Sequence, residues 1–272
     1  MQAMNDKLRT QKAFTLIELV VSIGILAMVL AFASVIFRVS INSQRTAIAN
    51  AEIMQKLRAI SNQLNADFKS IAYGYSGYVA FNTDKRTIDG KTIETNADCI
   101  AFFTNGDFQS TGQYGGKTIA GNVACVFYGP ADPNSFGRFP KPKEKILLRR
   151  QTILTTDGPS AGSDPRGEYY QKSLSEWKVA PPFANPRDWV KRPFIDPNNL
   201  KEHFVMHLAK GVDNFTIQFA EWDPTGKLRW KRQKEGGAQN IRTNAFKFTF
   251  TLYDSKGVIK NGRTFTHIVY LD

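Results

Sequence analysis

The chain opens with a continuous apolar run. Residues 14–37 read FTLIELVVSIGILAMVLAFASVIF, 24 positions with one formal charge, Glu18. A helix of that length rises about 36 Å at 1.5 Å per residue, enough to cross a hydrocarbon layer of ~30 Å. Further on, the apolar positions thin to a stripe. Leu57, Ile60, Leu64, Phe68 and Ile71 are spaced 3, 4, 4 and 3, the period of one helical face. Residues 14–72 contain no Pro and one Gly, Gly24. The pattern predicts one long helix over those residues, about 88 Å at 1.5 Å per residue. Its first half, 14–37, suits a membrane or a filament core, and 38–72 offers an apolar face to a globular domain. A coiled coil is the alternative, but sustained heptads with charged flanks are absent.

From Tyr73 the period changes to two. Short β-rich apolar runs occupy 97–104 (ADCIAFFT), 122–129 (NVACVFYG) and 146–154 (ILLRRQTIL). Residues 213–222 alternate through Phe215, Ile217 and Phe219, and 244–253 through Phe246, Phe248, Phe250 and Leu252. Asp-Pro-Thr-Gly before 227–231 and Asp254-Ser255-Lys256-Gly257 before 263–271 are turn signals. These are expected to be antiparallel meanders with one buried face. Residues 155–200 hold seven of the twelve prolines and no clear period. They are expected to form an ordered loop or insertion anchored by Trp177 and Trp189. The order, a long helix and then sheets, predicts an α+β class, with the β-rich part spanning 73–272.

Composition agrees with a folded chain. Hydrophobic residues make up 42% and charged residues 22% of 272, the balance of a globular protein. A mean hydropathy of −0.33 excludes a polytopic membrane protein. Two cysteines exclude a disulfide-built scaffold and a Cys-rich zinc module. The net charge of +12 matters first by its placement. Lys7, Arg9 and Lys12 precede the apolar run, against Asp6, whereas Arg38 alone follows it closely. Positive charge before the span keeps the N-terminus cytoplasmic and sends the C-terminal bulk across the membrane. A cleaved secretory signal would have an apolar stretch of ~7–15 residues followed by a small-residue site. This run is longer, and its Ala31-Phe32-Ala33 triplet lies inside it. A plain anchor explains all of this except Glu18. An acidic side chain in a membrane helix costs about 3 kcal/mol on insertion scales and usually has a partner. Snorkelling to the interface is one account of it. Pairing with a positive charge created by cleavage between Ala13 and Phe14 is the other.

The segment KAFTLIELVVSIGILAMVLA resembles the class III signal of type IV pilins and pseudopilins. The resemblance implies that a prepilin peptidase cuts between Ala13 and Phe14 and methylates the new Phe14 amine. Glu18, the fifth mature residue, then becomes the assembly carboxylate that pairs with an N-terminal amine. Phe14-Thr15-Leu16-Ile17-Glu18-Leu19 fits the pattern throughout. The family normally has Gly where this chain has Ala13, and alanine is small enough for processing. Residues 1–13 are then the leader. The stretches LAKGVDNFTIQFAEWDPTGKLRW and AFKFTFTLYDSKGVIKNGRTFTHIVYL are similar to J-type (GspJ-like) minor pseudopilins of type II secretion. That likeness implies a pilin-like fold, a single-pass inner-membrane protein, a periplasmic globular domain and a filament shared with other pseudopilins. A minor pilin of a type IV pilus or DNA-uptake pseudopilus is the alternative. A membrane-anchored periplasmic enzyme or binding domain is the third reading.

Other constellations carry less chemistry. His203 and His207 stand four apart beside Glu202, without a third ligand or an H-E-x-x-H pattern, so no metal site is expected. No G-x-S-x-G, P-loop or G-x-G-x-x-G occurs, no Asp-rich loop suits calcium, and neither catalysis nor a cofactor is expected. Cys99 and Cys125 fall in neighbouring strands. Export permits a disulfide between them, and their apolar surroundings equally suit two small buried hydrophobes. Lys227, Arg229, Lys231, Arg232 and Lys234 surround Trp230, and Lys141, Lys143, Lys145, Arg149 and Arg150 form a second basic run. Nucleic-acid contact is one reading. Lysines guarding a sheet edge is the preferred one.

Overall fold

The computed structural model describes residues 15–71, 77–88, 91–156, 167–172, 189–195, 207–223, 225–233 and 236–271. The chain divides into two compact units, Met1–Ile48 and Ala49–Asp272. A single helix, α1, covers Leu16–Lys69. Within the first unit its described residues are exposed or nearly so on every side. The rest of α1 belongs to the second unit and buries Ala49, Ile53, Ile60, Leu64, Asp67 and Phe68, with Leu57 and Ile71 partly buried against them. The predicted stripe holds from Leu57 to Phe68 and starts two turns earlier, while Ile71, expected on the helix, lies past its end and bridges Thr104. The helix ends at Lys69 because Thr104 and Asn105 take over its last carbonyls. The Thr104 hydroxyl donates to Asp67 O and Ser70 O at 3.2 and 2.9 Å, and Asn105 N donates to Ser70 O at 2.8 Å.

Thirteen strands follow among the described residues: β1 (Gly77–Phe81), β2 (Thr83–Ile88), β3 (Lys91–Asn96), β4 (Cys99–Tyr114), β5 (Lys117–Pro130), β6 (Ile146–Thr155), β7 (Tyr169–Gln171), β8 (His207–Lys210), β9 (Val212–Trp222), β10 (Leu228–Lys231), β11 (Gly236–Ile241), β12 (Ala245–Leu252) and β13 (Arg263–Tyr270). One sheet has the order β11-β1-β4-β5-β6-β7, with β8 also on β6. The second has the order β10-β9-β12-β13, and β2–β3 is a separate hairpin. All pairings are antiparallel except β6 with β7. The class is α+β, with one long apolar helix and mainly antiparallel sheets.

The two sheets face different burdens, which explains their different patterns. In the second sheet only one face is buried, so Phe246, Phe248 and Phe250 alternate with Lys247 and Thr249. In the first sheet both faces are covered. Ile100, Phe102, Val126 and Tyr128 enter the main core with the α1 stripe and the second sheet. Cys99, Ala101, Phe103, Cys125 and Phe127 enter a second cluster with Trp189, Val190 and Ile195. Double burial is why CIAFF and VACVFY run without alternation. The described part of the 155–200 segment thus covers the far face of the central strands, and Trp189 packs edge-on to Phe103 at 5.8 Å. Trp177 lies outside the described residues. Phe68 closes the main core, its ring 4.1 Å from Phe102 and 5.6 Å from Phe248.

Two expectations need correction. The runs at 97–104 and 122–129 are only the inner parts of β4 and β5, which continue as a polar two-stranded arm. The arm turns at Gly115 and Gly116, with φ of 60° and 78°, the left-handed pair a tight hairpin needs. Most of its residues alternate between exposed and half-buried, and Ile119 alone is buried, against Ile153 and Tyr169, so no apolar run marked the arm. The short strands β1, β2, β3, β7, β8 and β11 also escaped prediction.

Candidate functional site: the N-terminal processing and assembly segment

Ala13 and Phe14 lie outside the described residues, and α1 begins just beyond them. Thr15 and Glu18 form a reciprocal cap on its first turn. Glu18 Oε2 accepts from Thr15 N and Thr15 Oγ1, each at 2.9 Å, and Glu18 N donates to Thr15 Oγ1 at 3.3 Å. This is the T-x-x-E capping box, which satisfies orphan amides at a helix start. The sequence carried the signal as Thr15-Leu16-Ile17-Glu18, and sequence reasoning missed it. Both side-chain-directed bonds converge on Oε2, so Oε1 remains able to accept a further donor. An ionised carboxylate has about four acceptor positions. Past Glu18 the surface is apolar all round. Ile17 is 70% exposed, Phe32 65% and Phe37 68%. This helix is long and apolar enough to cross a membrane. Ser22 and Ser34 do not break that surface, because their hydroxyls donate back to the carbonyls of Glu18 and Leu30 at 2.7 and 2.9 Å.

The remaining predicted groups fall elsewhere. Cys99 and Cys125 are buried free thiols. Register pairs Cys125 with Phe103 and Ile100 with Tyr128, which sets Cys99 against Gly129, four positions away. At ~3.4 Å per residue that is about 14 Å, beyond the ~7 Å a disulfide spans. The disulfide reading is therefore corrected to that of two buried hydrophobes. Burial pushes both thiols up to about 12. His203 and Glu202 lie outside the described residues, and His207 stands in β8, not on a helix. No cluster of three metal-binding side chains occurs among the described residues.

Five of the ten cations in the two basic runs are drawn into ion pairs. Lys145 Nζ meets Asp213 at 2.6 Å and Asp84 at 3.7 Å, and Arg192 meets Asp84 at 2.6 Å. Arg149 grips Asp67 through Nε and a second nitrogen at 2.7 and 2.8 Å. Tyr128 also donates its hydroxyl to Asp67. Burial works against the charged Arg149, but the bonds and charge of Asp67 win and raise its pKa. Arg150 packs over the Phe127 ring at 5.0 Å. In the other run, Arg232 reaches the buried Asp98 at 2.8 Å, Arg229 meets Asp223 at 2.8 Å, and Lys231 meets Glu221. Lys234 lies outside the described residues. β10 is an edge strand, as the charge-guarded-edge reading expected.

Residues 8–34 match a family described as "Prokaryotic N-terminal methylation motif". No curated protein and no solved structure matches the chain. A prepilin-type motif at the head of a single exposed apolar helix supports a place for this chain in the type IV pilin and pseudopilin superfamily, as a membrane-anchored protein processed by prepilin peptidase.

Proposed function

We propose that this protein is a structural minor pseudopilin, cut after Ala13, methylated at Phe14 and assembled near the tip of a type II secretion pseudopilus. The observation that carries the reading is the coincidence of FTLIEL with the start of an apolar helix that no other described residue of its own unit covers. On this reading the N-terminus is cytoplasmic, residues 14–37 lie in the inner membrane or the filament core, and residues 73–272 form the periplasmic domain. Partners are the peptidase and other pilin-like subunits. The role is mechanical, and no catalysis is assigned to the chain. Five of the ten cations in the basic runs are ion-paired, which leaves fewer of them for phosphates and supports the secretion reading over DNA uptake.

The mechanism turns on Glu18. In the lone subunit its Oε2 caps the helix through Thr15, which tempers the cost of a carboxylate at the membrane. In a filament its free Oε1 accepts the methylated Phe14 amine of a neighbour. Two charges that are each costly in a low dielectric then neutralise one another, on the order of 3 kcal/mol for the acidic member. The pair selects the axial register, while the apolar surface supplies packing. The test is complementation of a deletion strain by Glu18→Ala, with crosslinking to other pilin-like subunits. Insertion and cleavage survive, while crosslinks and function fail. Glu18→Asp, with its shorter reach, is intermediate. Full function and normal crosslinks for Glu18→Ala contradict the charge-pair mechanism.

A further inference from the structure

The outer face of the β10-β9-β12-β13 sheet differs from an ordinary solvated face. Phe219 pairs with Phe246, and both point into the core. Their neighbours Ala220 and Ala245 therefore point outward, since side chains alternate along a strand. Register places Trp230 beside Ala220 and Tyr270 beside Ala245. Two aromatic rings thus stand at either end of an alanine floor, three strand spacings or about 14 Å apart. Beyond the floor, Trp222 pairs directly with Leu228 on the same face. Trp222 is 64% exposed, Tyr270 68% and Leu228 41%. Among the described residues of this face Lys247 is the one charge, and its Nζ lies 4.9 Å from the Trp230 ring centroid.

The patch is rigidly held. Asp223 closes the β9–β10 turn by accepting from Thr225 N and Lys227 N at 2.9 Å each. Arg232 ties the chain just past β10 to the buried Asp98. A cluster of Trp, Tyr and Leu with a single charge, Lys247, has the composition of an interface core, where aromatics are enriched and charges depleted. Lys227 and Arg242 are exposed around it, while the neighbouring Arg229 and Lys231 are paired with Asp223 and Glu221. Residues 1–48 hold five of the 36 basic and two of the 24 acidic side chains, so residues 49–272 carry +9. A second copy of this chain would bring the same sign of charge to the rim. A nucleic acid would find one cation on the face itself.

We infer that this face docks the globular domain of a different pilin-like subunit, one that is net acidic, with an apolar patch inside an acidic rim. The inference rests on the pilin reading above and adds the surface and the charge of the neighbour. An aromatic anchor set of this kind concentrates binding energy in a few side chains, so truncating two of them releases the partner.

The test places a photocrosslinking benzoylphenylalanine at Tyr270 in the full-length protein in its own cells. A second strain carries it at Ile25 in the apolar helix. Adducts are identified by mass spectrometry. The expected result is a Tyr270-site adduct with another protein that bears a prepilin-type motif and a net-acidic domain. In that background Trp222→Ala with Leu228→Ala lowers the adduct about tenfold or more. Both side chains are exposed, and an unchanged far-UV circular dichroism spectrum with an unchanged unfolding midpoint confirms that the fold is kept. A Tyr270-site adduct with a copy of this chain, a nucleic acid or a glycan overturns the inference. So does the absence of an adduct while the Ile25-site adduct with pilin-like subunits persists. Loss of adducts at both sites overturns the pilin reading itself, and this inference with it.

Discussion

Replacing Asp67 by alanine removes the acceptor on which three donors converge where α1 meets the first sheet. Arg149 holds Asp67 through two nitrogens at 2.7 and 2.8 Å, Tyr128 donates its hydroxyl, and Gln63 adds a bond at 3.1 Å. The Asp67 side chain is 8% exposed and that of Arg149 20%. Breaking a buried pair by removing one partner costs about 3–5 kcal/mol, because the other charge is left without compensation. Water reaches part of Arg149, so the lower end, about 3 kcal/mol, is expected. For a domain of this size 1 kcal/mol moves the midpoint by roughly 2–4 °C, giving a fall of about 6–12 °C. The assay is thermal unfolding of the full chain in detergent micelles, followed by near-UV circular dichroism. Arg149→Met alone is also destabilising. Asp67→Leu with Arg149→Met recovers most of the loss, because replacing both members of a buried pair by apolar groups is often neutral. A loss below about 0.5 kcal/mol for Asp67→Ala, the scale of an ordinary surface substitution, refutes this reasoning. Strict additivity of the two substitutions refutes it too, since contacting residues couple.

The remaining predictions concern the second core cluster and the histidines. A Cβ on Gly129 would meet Cys99 Sγ at 2.6 Å and the Phe127 ring at 2.8 Å, so Gly129→Ala overpacks the site by about 1–3 kcal/mol, and Cys99→Ala relieves part of that loss. In the unmodified protein neither thiol reacts with iodoacetamide until the domain unfolds, whereas rapid labelling of native Cys99 or Cys125 contradicts their burial. His207 is lowered by burial and then by Lys210 and Lys56, and His267 is lowered by burial. The unfolded chain therefore binds protons first as pH falls below about 6.5, and folded stability declines through that window down to the depressed folded values. His207→Gln flattens the decline in a pH series of unfolding midpoints, and an unchanged slope contradicts the assignment.

The most legible part of this protein in its sequence was the part governed by one period and one solvent. The α1 stripe from Leu57 to Phe68 and the Phe246–Leu252 alternation each face a single core surface, so spacing alone revealed them. The β4–β5 arm was hidden because only scattered residues of it meet a core: Ile119 is buried with Ile153 and Tyr169, and Phe108 and Tyr114 pack against them. The rest of the hairpin rests on Gly115 and Gly116 and on backbone pairing, which leave no hydrophobic period. The basic runs misled for a different reason. Lys145, Arg149 and Arg232 look like surface charge in the sequence, yet their partners Asp213, Asp67 and Asp98 lie 68, 82 and 134 residues away. Only the folded chain brings these charges together. The sheet neighbours of Cys99 were likewise a question of register, which composition cannot supply. At the N-terminus the motif is readable, and Thr15 and Glu18 stand at capping-box spacing, but the charge of Glu18 masks its reach back to Thr15 until the first turn is folded.

The central claim is that the chain is a processed pilin-like subunit. The most direct measurement is the intact mass and N-terminal sequence of the protein purified from the membrane. The account predicts a chain that begins at Phe14, with residues 1–13 absent and one methyl group on the new amine. Ala13→Gly is processed at least as well, and a bulky residue at position 13 blocks cleavage. A membrane form that still begins at Met1, or that begins after Ala33, contradicts the account.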